Sequence, residues 1–343
     1  MGLNHKPLLL LMINFHKLAE IVTSNQTFLI TTHVNPDADA IGSEIAFANL
    51  LHKLNKSYKI INHSETPYNL KFLDVKNIIV KYDANEHVDY FASSDVLVAL
   101  DFNRANRMVS LQQKFLDSTK LKICVDHHQD PEDFADHLFI DASYAATGHI
   151  LFEFIKETNI VEIDLELAVP LYAAIMTDTG SFRFDRTSSE IHRIAAYLLD
   201  RGVNPSEVYD QLYDESKLSK LKLLGRSLNS LRLIAKNKIG YMILTQEDFR
   251  ELNGLESDTE NFVNNIISVE GVVLGLFFIE LKIGFKVSFR SKGQLPVNKL
   301  AAIFGGGGHI NAAGARFYNS KMGTMIPEIL REAEKFLSNY RKG

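Results

Sequence analysis

Acidic and imidazole side chains gather where apolar segments of this chain end. His33 opens the run His33-Val-Asn-Pro-Asp37-Ala-Asp39, Asp101 closes another apolar stretch, and Asp126-His127-His128 closes a third. A fourth carboxylate, Asp178, lies in Met-Thr-Asp-Thr-Gly-Ser-Phe, where an apolar helical pattern (Leu167 to Ile175) meets a glycine turn. A lone histidine is more often a hydrogen-bonded structural residue, and a lone aspartate before glycine is usually a cap or turn. Together the four clusters are hard to dismiss. Carboxylates ~4 Å apart repel by several kcal/mol at an intermediate dielectric, and crowding raises their pKa values. Divalent cations relieve that cost. Mixed Asp and His donors without cysteine favour a hard metal, most naturally manganese, with magnesium or cobalt as alternatives. Two cations roughly 3.5–4 Å apart, sharing Asp101 and a water, would supply hydroxide near neutral pH for attack on phosphorus.

The elements that must position these residues are legible as well. Phe28 to His33, Tyr58 to Ile61, Asp95 to Asp101 and Leu121 to Asp126 read as strands. The spacings Ile45, Ala48, Leu51 and Ile191, Ile194, Leu198 read as helices. Alternating strands and helices predict an α/β fold whose mostly parallel sheet carries helices on both faces. Ligands of such sheets bind at the carboxyl ends of the strands, where the three clusters fall. After residue 203 the pattern changes. Arg201-Gly202 and Asn204-Pro205 end a helix, and residues 204–220 read as a linker, in part helical. Residues 221–343 then form a smaller α/β or α+β domain, with strands at Ile239 to Leu244, Gly271 to Phe278 and Phe285 to Arg290 and a last helix from Ile326 to Tyr340. Gly271 to Phe278 reads as a core strand, and Leu8 to Ile21 as a helix of unassigned role.

Charge divides along the same line. Residues 1–220 hold 20 basic against 31 acidic residues, a net of −11, and residues 221–343 hold 17 against 11, a net of +6. The first half suits cations and the second an anion, though not a long nucleic acid, which demands many phosphate contacts. One cysteine, Cys124, excludes an intramolecular disulfide and a cysteine-built zinc site. The early apolar run from Leu8 to Ile13 is far short of the ~20 residues of a membrane helix. The expectation is a cytoplasmic protein with no membrane partner; a homodimer is compatible with the sequence.

The second half carries Gly305-Gly-Gly-Gly-His309-Ile-Asn311-Ala-Ala-Gly314. Glycines let backbone N–H groups approach a phosphate, which makes Gly306 and Gly307 candidate substrate contacts with His309, Asn311 and Arg290. Arg104, Arg107 and Arg183 lie near the acidic motifs and are candidate phosphate contacts too, about as well explained by surface ion pairs.

Taken together, these motifs resemble the DHH phosphoesterase superfamily. His33 to Ser43 is similar to its first motif, Asp101 to its second, Asp126-His127-His128 to its third and Asp178-Thr-Gly-Ser to its fourth. The glycine-rich run resembles the signature of the DHH-associated domain. The resemblance spans nearly the whole chain and is strongest toward the nanoRNase/pAp phosphatase branch. It implies one cation held by His33, Asp37 and Asp101, and a second held by Asp39, Asp101, His127 and Asp178. It also implies that His128 reaches toward the scissile phosphate and that Asp126 orients the histidine pair. The implied substrates are short RNA or DNA oligonucleotides and small nucleotides such as 3′-phosphoadenosine 5′-phosphate (pAp), bound across a cleft between the domains. A cyclic- or linear-dinucleotide phosphodiesterase is the alternative enzyme. A RecJ-type exonuclease is expected to be longer, and a manganese pyrophosphatase to carry a different basic motif. An inert nucleotide-binding regulator would lack a metal ligand, and none is missing here.

Overall fold

The computed structural model describes residues 13–214 and 216–340. The chain divides into two compact units, Met1–Glu215 and Ser216–Gly343.

The first unit is built on six parallel strands, β1 (Thr27–Thr31), β2 (Ser57–Asn62), β3 (Ile79–Lys81), β4 (Val96–Leu100), β5 (Leu121–Asp126) and β6 (His137–Ile140). Their order in the sheet is β3-β2-β1-β4-β5-β6. Every pairing is parallel, with Ile30 opposite both Ile60 and Val98, and Val98 opposite Ile123. Because side chains alternate across a strand, the apolar runs feed two cores. Phe28, Ile30, Val96, Val98, Ile123 and Val125 pack against the helices Ala38–Lys53, Thr147–Thr158 and Leu165–Asp178. Leu29, Leu97, Ala99 and Cys124 face the other way, under Phe91, Met108, Phe115 and Phe134. The expected α/β sheet covered on both faces is therefore present. The strand order reverses between β1 and β4, and that switch point opens a crevice at the carboxyl ends of the two strands.

Residues 205–214 are helical, with Asn204 as the N-cap. A helix, Pro205–Tyr209, runs into a π-helical turn, Asp210–Asp214, and Val208 and Leu212 join the core of the first unit. The polar composition that reads as a linker in sequence conceals these two apolar anchors. Near the start of the described chain, a helix spans Phe15–Ser24, capped by the Asn14 side chain. Residues 8–12 of the expected Leu8 to Ile21 helix lie outside the described residues.

The second unit has a mixed sheet of β7 (Arg232–Ile234), β8 (Ile239–Leu244), β9 (Leu274–Glu280), β10 (Phe285–Ser291), β11 (Gly307–His309) and β12 (Ala312–Phe317). The order is β11-β12-β10-β9-β8-β7, antiparallel except for β8 against β9. β9 is buried along almost its whole length, as a core strand should be. The last helix, Met322–Tyr340, begins four residues earlier than its apolar pattern. Among the described residues no helix is long and apolar enough to cross a membrane.

Candidate metal centre

Asp101 stands at the switch point, just beyond β4, with φ +67°, a left-handed backbone that costs a non-glycine residue free energy and that Asp and Asn tolerate best. It is buried, and its two oxygens face different histidines. Oδ2 lies 3.4 Å from His33 Nε2 and Oδ1 lies 3.6 Å from His127 Nε2. The Thr147 hydroxyl donates to Oδ1 at 2.9 Å. Burial and then the nearby Asp39 and Asp37 charges push the Asp101 carboxyl well above the usual range.

On one side of Asp101, His33 donates from Nδ1 to the Val34 carbonyl at 3.0 Å, which leaves the Nε2 lone pair facing the carboxylates. Burial, reinforced by the Arg107 charge, lowers the His33 pKa to about 4, so the ring is neutral at ordinary pH. Asp37 completes this group: His33, Asp37 and Asp101 place donor atoms within 4.8 Å of one another. Asp37 is also the N-cap of helix Ala38–Lys53, since its Oδ1 accepts from the Asp39 and Ala40 amides. The cap fixes the turn that carries Asp39 inward.

On the other side, Asp39 is fully buried. The helix Thr147–Thr158 has no capping side chain of its own. Asp39 satisfies its first amides instead, accepting from Thr147 N at 2.7 Å and Gly148 N at 2.9 Å. Burial and the Asp178 charge nonetheless raise the Asp39 pKa to about 7. His127 Nε2 lies 3.5 Å from Asp39 and 3.1 Å from Asp178. Burial disfavours charge on His127, but the Asp178 hydrogen bond and the surrounding carboxylates lift its pKa to about 9. Arg186 opposes that trend, because its Nη1 donates to His127 Nδ1 at 2.9 Å and requires a lone pair there. The hydrogen-bond geometry therefore puts the ring proton on Nε2, among the carboxylates.

Asp126, at the end of β5, engages His128 twice. Oδ1 accepts from the ring Nδ1 at 2.6 Å and Oδ2 accepts the His128 amide at 3.0 Å. Burial alone would raise the Asp126 pKa, but the His128 bond outweighs it and the carboxyl ends below the usual range. The His127 and His128 rings lie 4.7 Å apart, and His128 is the more exposed of the two.

The fold thus brings His33, Asp37, Asp39, Asp101, His127 and Asp178 together. Two donor groups, His33–Asp37–Asp101 and Asp39–Asp101–His127, meet at the Asp101 carboxylate. Burial and mutual repulsion raise the pKa values of Asp39 and Asp101. The donor set, the outward lone pair on His33 and the shared carboxylate fit a pair of hard divalent cations.

Sequence reasoning missed Thr147, Gly148 and Arg186. A Thr-Gly pair opening an apolar helix was the available signal for the first two; for Arg186 there was none. A Cβ on Gly148 would lie 2.5 Å from the Ala174 Cβ and 3.5 Å from Asp39 Oδ1. Gly148→Ala is expected to cost roughly 1–3 kcal/mol through overpacking and to weaken cation binding by moving Asp39. Thermal melting with and without Mn²⁺ checks both effects.

In the second unit, Arg290 on β10 and His309 on β11 are both in register with Ala312 of β12, so they share one face of the sheet. Arg290 is half-buried, and burial lowers its pKa. The glycine run is partly strand, and its glycines differ in what they meet. A Cβ on Gly306 would lie 2.1 Å from the Gly314 carbonyl oxygen, so that glycine serves the approach of β12, whereas a Cβ on the exposed Gly307 would meet nothing within 4 Å. The Asn311 amide donates to Ser291 Oγ at 3.0 Å and to the Gly293 carbonyl at 2.7 Å, pinning the end of β10.

Both parts of the chain match known protein families. Residues 27–175 match the DHH family, N-terminal domain, and residues 249–339 match the DHHA1 domain. The chain is 34% identical over 286 residues to the bifunctional oligoribonuclease and PAP phosphatase NrnA of Thermus thermophilus, covering 83% of this chain and 82% of that one. It is 27% identical to the protein of the same name from Bacillus subtilis, covering 88% and 93%. An exopolyphosphatase-related protein from Bacteroides fragilis superimposes with a TM-score of 0.86 at 30% identity, covering 96% of both chains. The structure of RecJ from Thermus thermophilus in complex with Mn²⁺ shares the fold at 12% identity and a TM-score of 0.57, with 97% of this chain and 56% of that one covered. The chain belongs to the DHH family of phosphoesterases.

Proposed function

We propose that the chain hydrolyses short oligonucleotides to mononucleotides, and pAp to AMP, with a pair of divalent cations. The observation that carries the reading is the Asp101 carboxylate, which turns one oxygen to each of two histidines at the switch point of the sheet. The names of the Thermus and Bacillus relatives support the substrate class.

His33, Asp37 and Asp101 would hold one cation, and Asp39, Asp101, His127 and Asp178 the other. Manganese suits this oxygen-rich set, as magnesium or cobalt would. When bound, the cations supply Lewis acidity toward phosphoryl oxygens and water with a pKa near ~7. The chain's own residues do the rest. Asp126 fixes the His128 ring through Nδ1, so Nε2 is the nitrogen that meets the scissile phosphate or the departing oxygen. In the basic second unit, Arg290, His309 and the exposed Gly307 are candidate phosphate contacts, which a fork-shaped guanidinium suits. One guanidinium and one imidazole suit a few phosphates rather than a long strand, which needs a continuous basic track.

The test is hydrolysis in Mn²⁺ of linear pApA, pAp, cyclic di-AMP, pyrophosphate and a long single-stranded RNA. Fast turnover of pApA and pAp with the long RNA largely intact is the expected result. Equal cleavage of long and short RNA would remove the length argument. Dominant cleavage of cyclic di-AMP or pyrophosphate would replace the substrate and retain the metal centre.

A further inference from the structure

Arg186 belongs to none of the motifs, yet it touches the metal centre directly. It lies in the turn between the helix ending at Asp178 and the helix Ser189–Asp200. That turn is held by left-handed residues at Gly180, Ser181 and Phe182. Arg183, in the same turn, donates from Nε to the Gly180 carbonyl. Arg186 reaches inward instead, with Nη1 2.9 Å from His127 Nδ1 and 3.2 Å from the Tyr144 carbonyl.

The first of these bonds has a chemical consequence. A guanidinium only donates, so Nδ1 must carry the lone pair and Nε2 the proton. Nε2 is the nitrogen that faces Asp178, Asp39 and Asp101 at 3.1, 3.5 and 3.6 Å. For His127 to serve as a ligand, Nε2 must offer its lone pair, and the proton of the neutral ring then sits on Nδ1. Two N–H groups would face each other where the bond to Arg186 now lies. Ligation by His127 and its bond to Arg186 exclude one another. The planar fork of the freed guanidinium is matched by a phosphate oxygen pair beside it.

We infer that Arg186 is a phosphate-binding residue of the active site, which leaves His127 when that histidine ligates a cation and takes up a non-bridging oxygen of the substrate phosphate. This rests on the reading of the centre as a phosphoesterase site. The competing account makes Arg186 a fixed buttress of His127, and the two accounts differ in the sign of its effect on metal binding.

The full chain and its Arg186→Gln and Arg186→Lys variants separate them. Mn²⁺ affinity is measured by calorimetry without substrate, and phosphate affinity by titrating inorganic phosphate into the Mn²⁺-saturated protein. In Arg186→Gln, Mn²⁺ affinity is expected to be unchanged or higher and phosphate affinity lower by about tenfold or more, with Arg186→Lys recovering part of the phosphate affinity. KM for pApA should rise with the loss of phosphate affinity. Weaker Mn²⁺ binding in Arg186→Gln with phosphate affinity unchanged would overturn the inference in favour of the buttress. Mn²⁺ and phosphate are the probes, so a wild-type chain that binds both yet leaves pApA intact refutes the substrate reading alone.

Discussion

Asp101→Asn is expected to lower kcat/KM by at least about 10³-fold, because the cations supply several kcal/mol of transition-state stabilisation and ~1.4 kcal/mol is worth a decade of rate. Asparagine is the informative substitution. It accepts the left-handed backbone at this position as readily as aspartate does, whereas alanine adds strain. The Thr147 hydroxyl retains an oxygen acceptor in the variant. The amide is uncharged where burial and the neighbouring carboxylates already resist a charge in the metal-free protein. The metal-free variant should therefore melt at or above the wild-type temperature, while the rise in Tm on adding Mn²⁺ is lost. Activity and melting move in opposite directions, a result that misfolding cannot imitate. A variant that melts well below wild type in EDTA would show that Asp101 is held for structural reasons.

Chelation should destabilise the protein, and more at pH 8 than at pH 6.5. Asp39 is raised from 3.8 to about 7 by burial and Asp178, and Glu44, buried beside Asn62, is raised from 4.5 to about 8 by burial. Between those limits the folded, metal-free chain binds more protons than the unfolded chain. Its stability is thus fully present at low pH and falls as pH rises through the folded-state values. His33 acts in the opposite sense, because its pKa is lowered from 6.5 to about 4, but that gain is complete once pH passes 6.5. From pH 6.5 to 8 the direction is downward. A cation pairs with ionised Asp39 and removes its share of the loss, whereas Glu44 is not among the proposed ligands and keeps its own. At ~100 times Kd a bound ligand adds about 2.7 kcal/mol, or roughly 5–10 °C in Tm for a protein of this size class. Melting in EDTA and in Mn²⁺ at the two pH values checks the sign. A gain from Mn²⁺ that is smaller at pH 8 would contradict it.

The sequence disclosed those parts of the structure whose residues announce themselves by type and period. Four central strands of the first unit appear within a residue or two of their expected bounds, because buried parallel strands are written as continuous apolar runs. β3 and β6 escaped notice: they are three and four residues long and partly exposed at the sheet edges. β11 and β12 were concealed by glycine and alanine, which have low strand propensity but here let two backbones pass closely. Within the site, four clusters of acid and imidazole at element ends pointed together to a cation, and the ligand sets followed from the resemblance to the DHH superfamily. The sharing of Asp101 was anticipated as well; the turn of one oxygen to each histidine was not, because it depends on the reversal of strand order between β1 and β4. Thr147, Gly148 and Arg186 act through backbone amides, close approach and a single long side chain. None of those leaves a spacing pattern.

The central claim is that Asp101 joins two cation sites into one centre, and a titration with Mn²⁺ followed by electron paramagnetic resonance tests it most directly. Wild-type protein should take up two Mn²⁺ per chain and show the spectrum of an exchange-coupled pair, while Asp101→Asn loses the coupling. A single uncoupled Mn²⁺ per chain, or two whose signal is unaffected by Asp101→Asn, would contradict it.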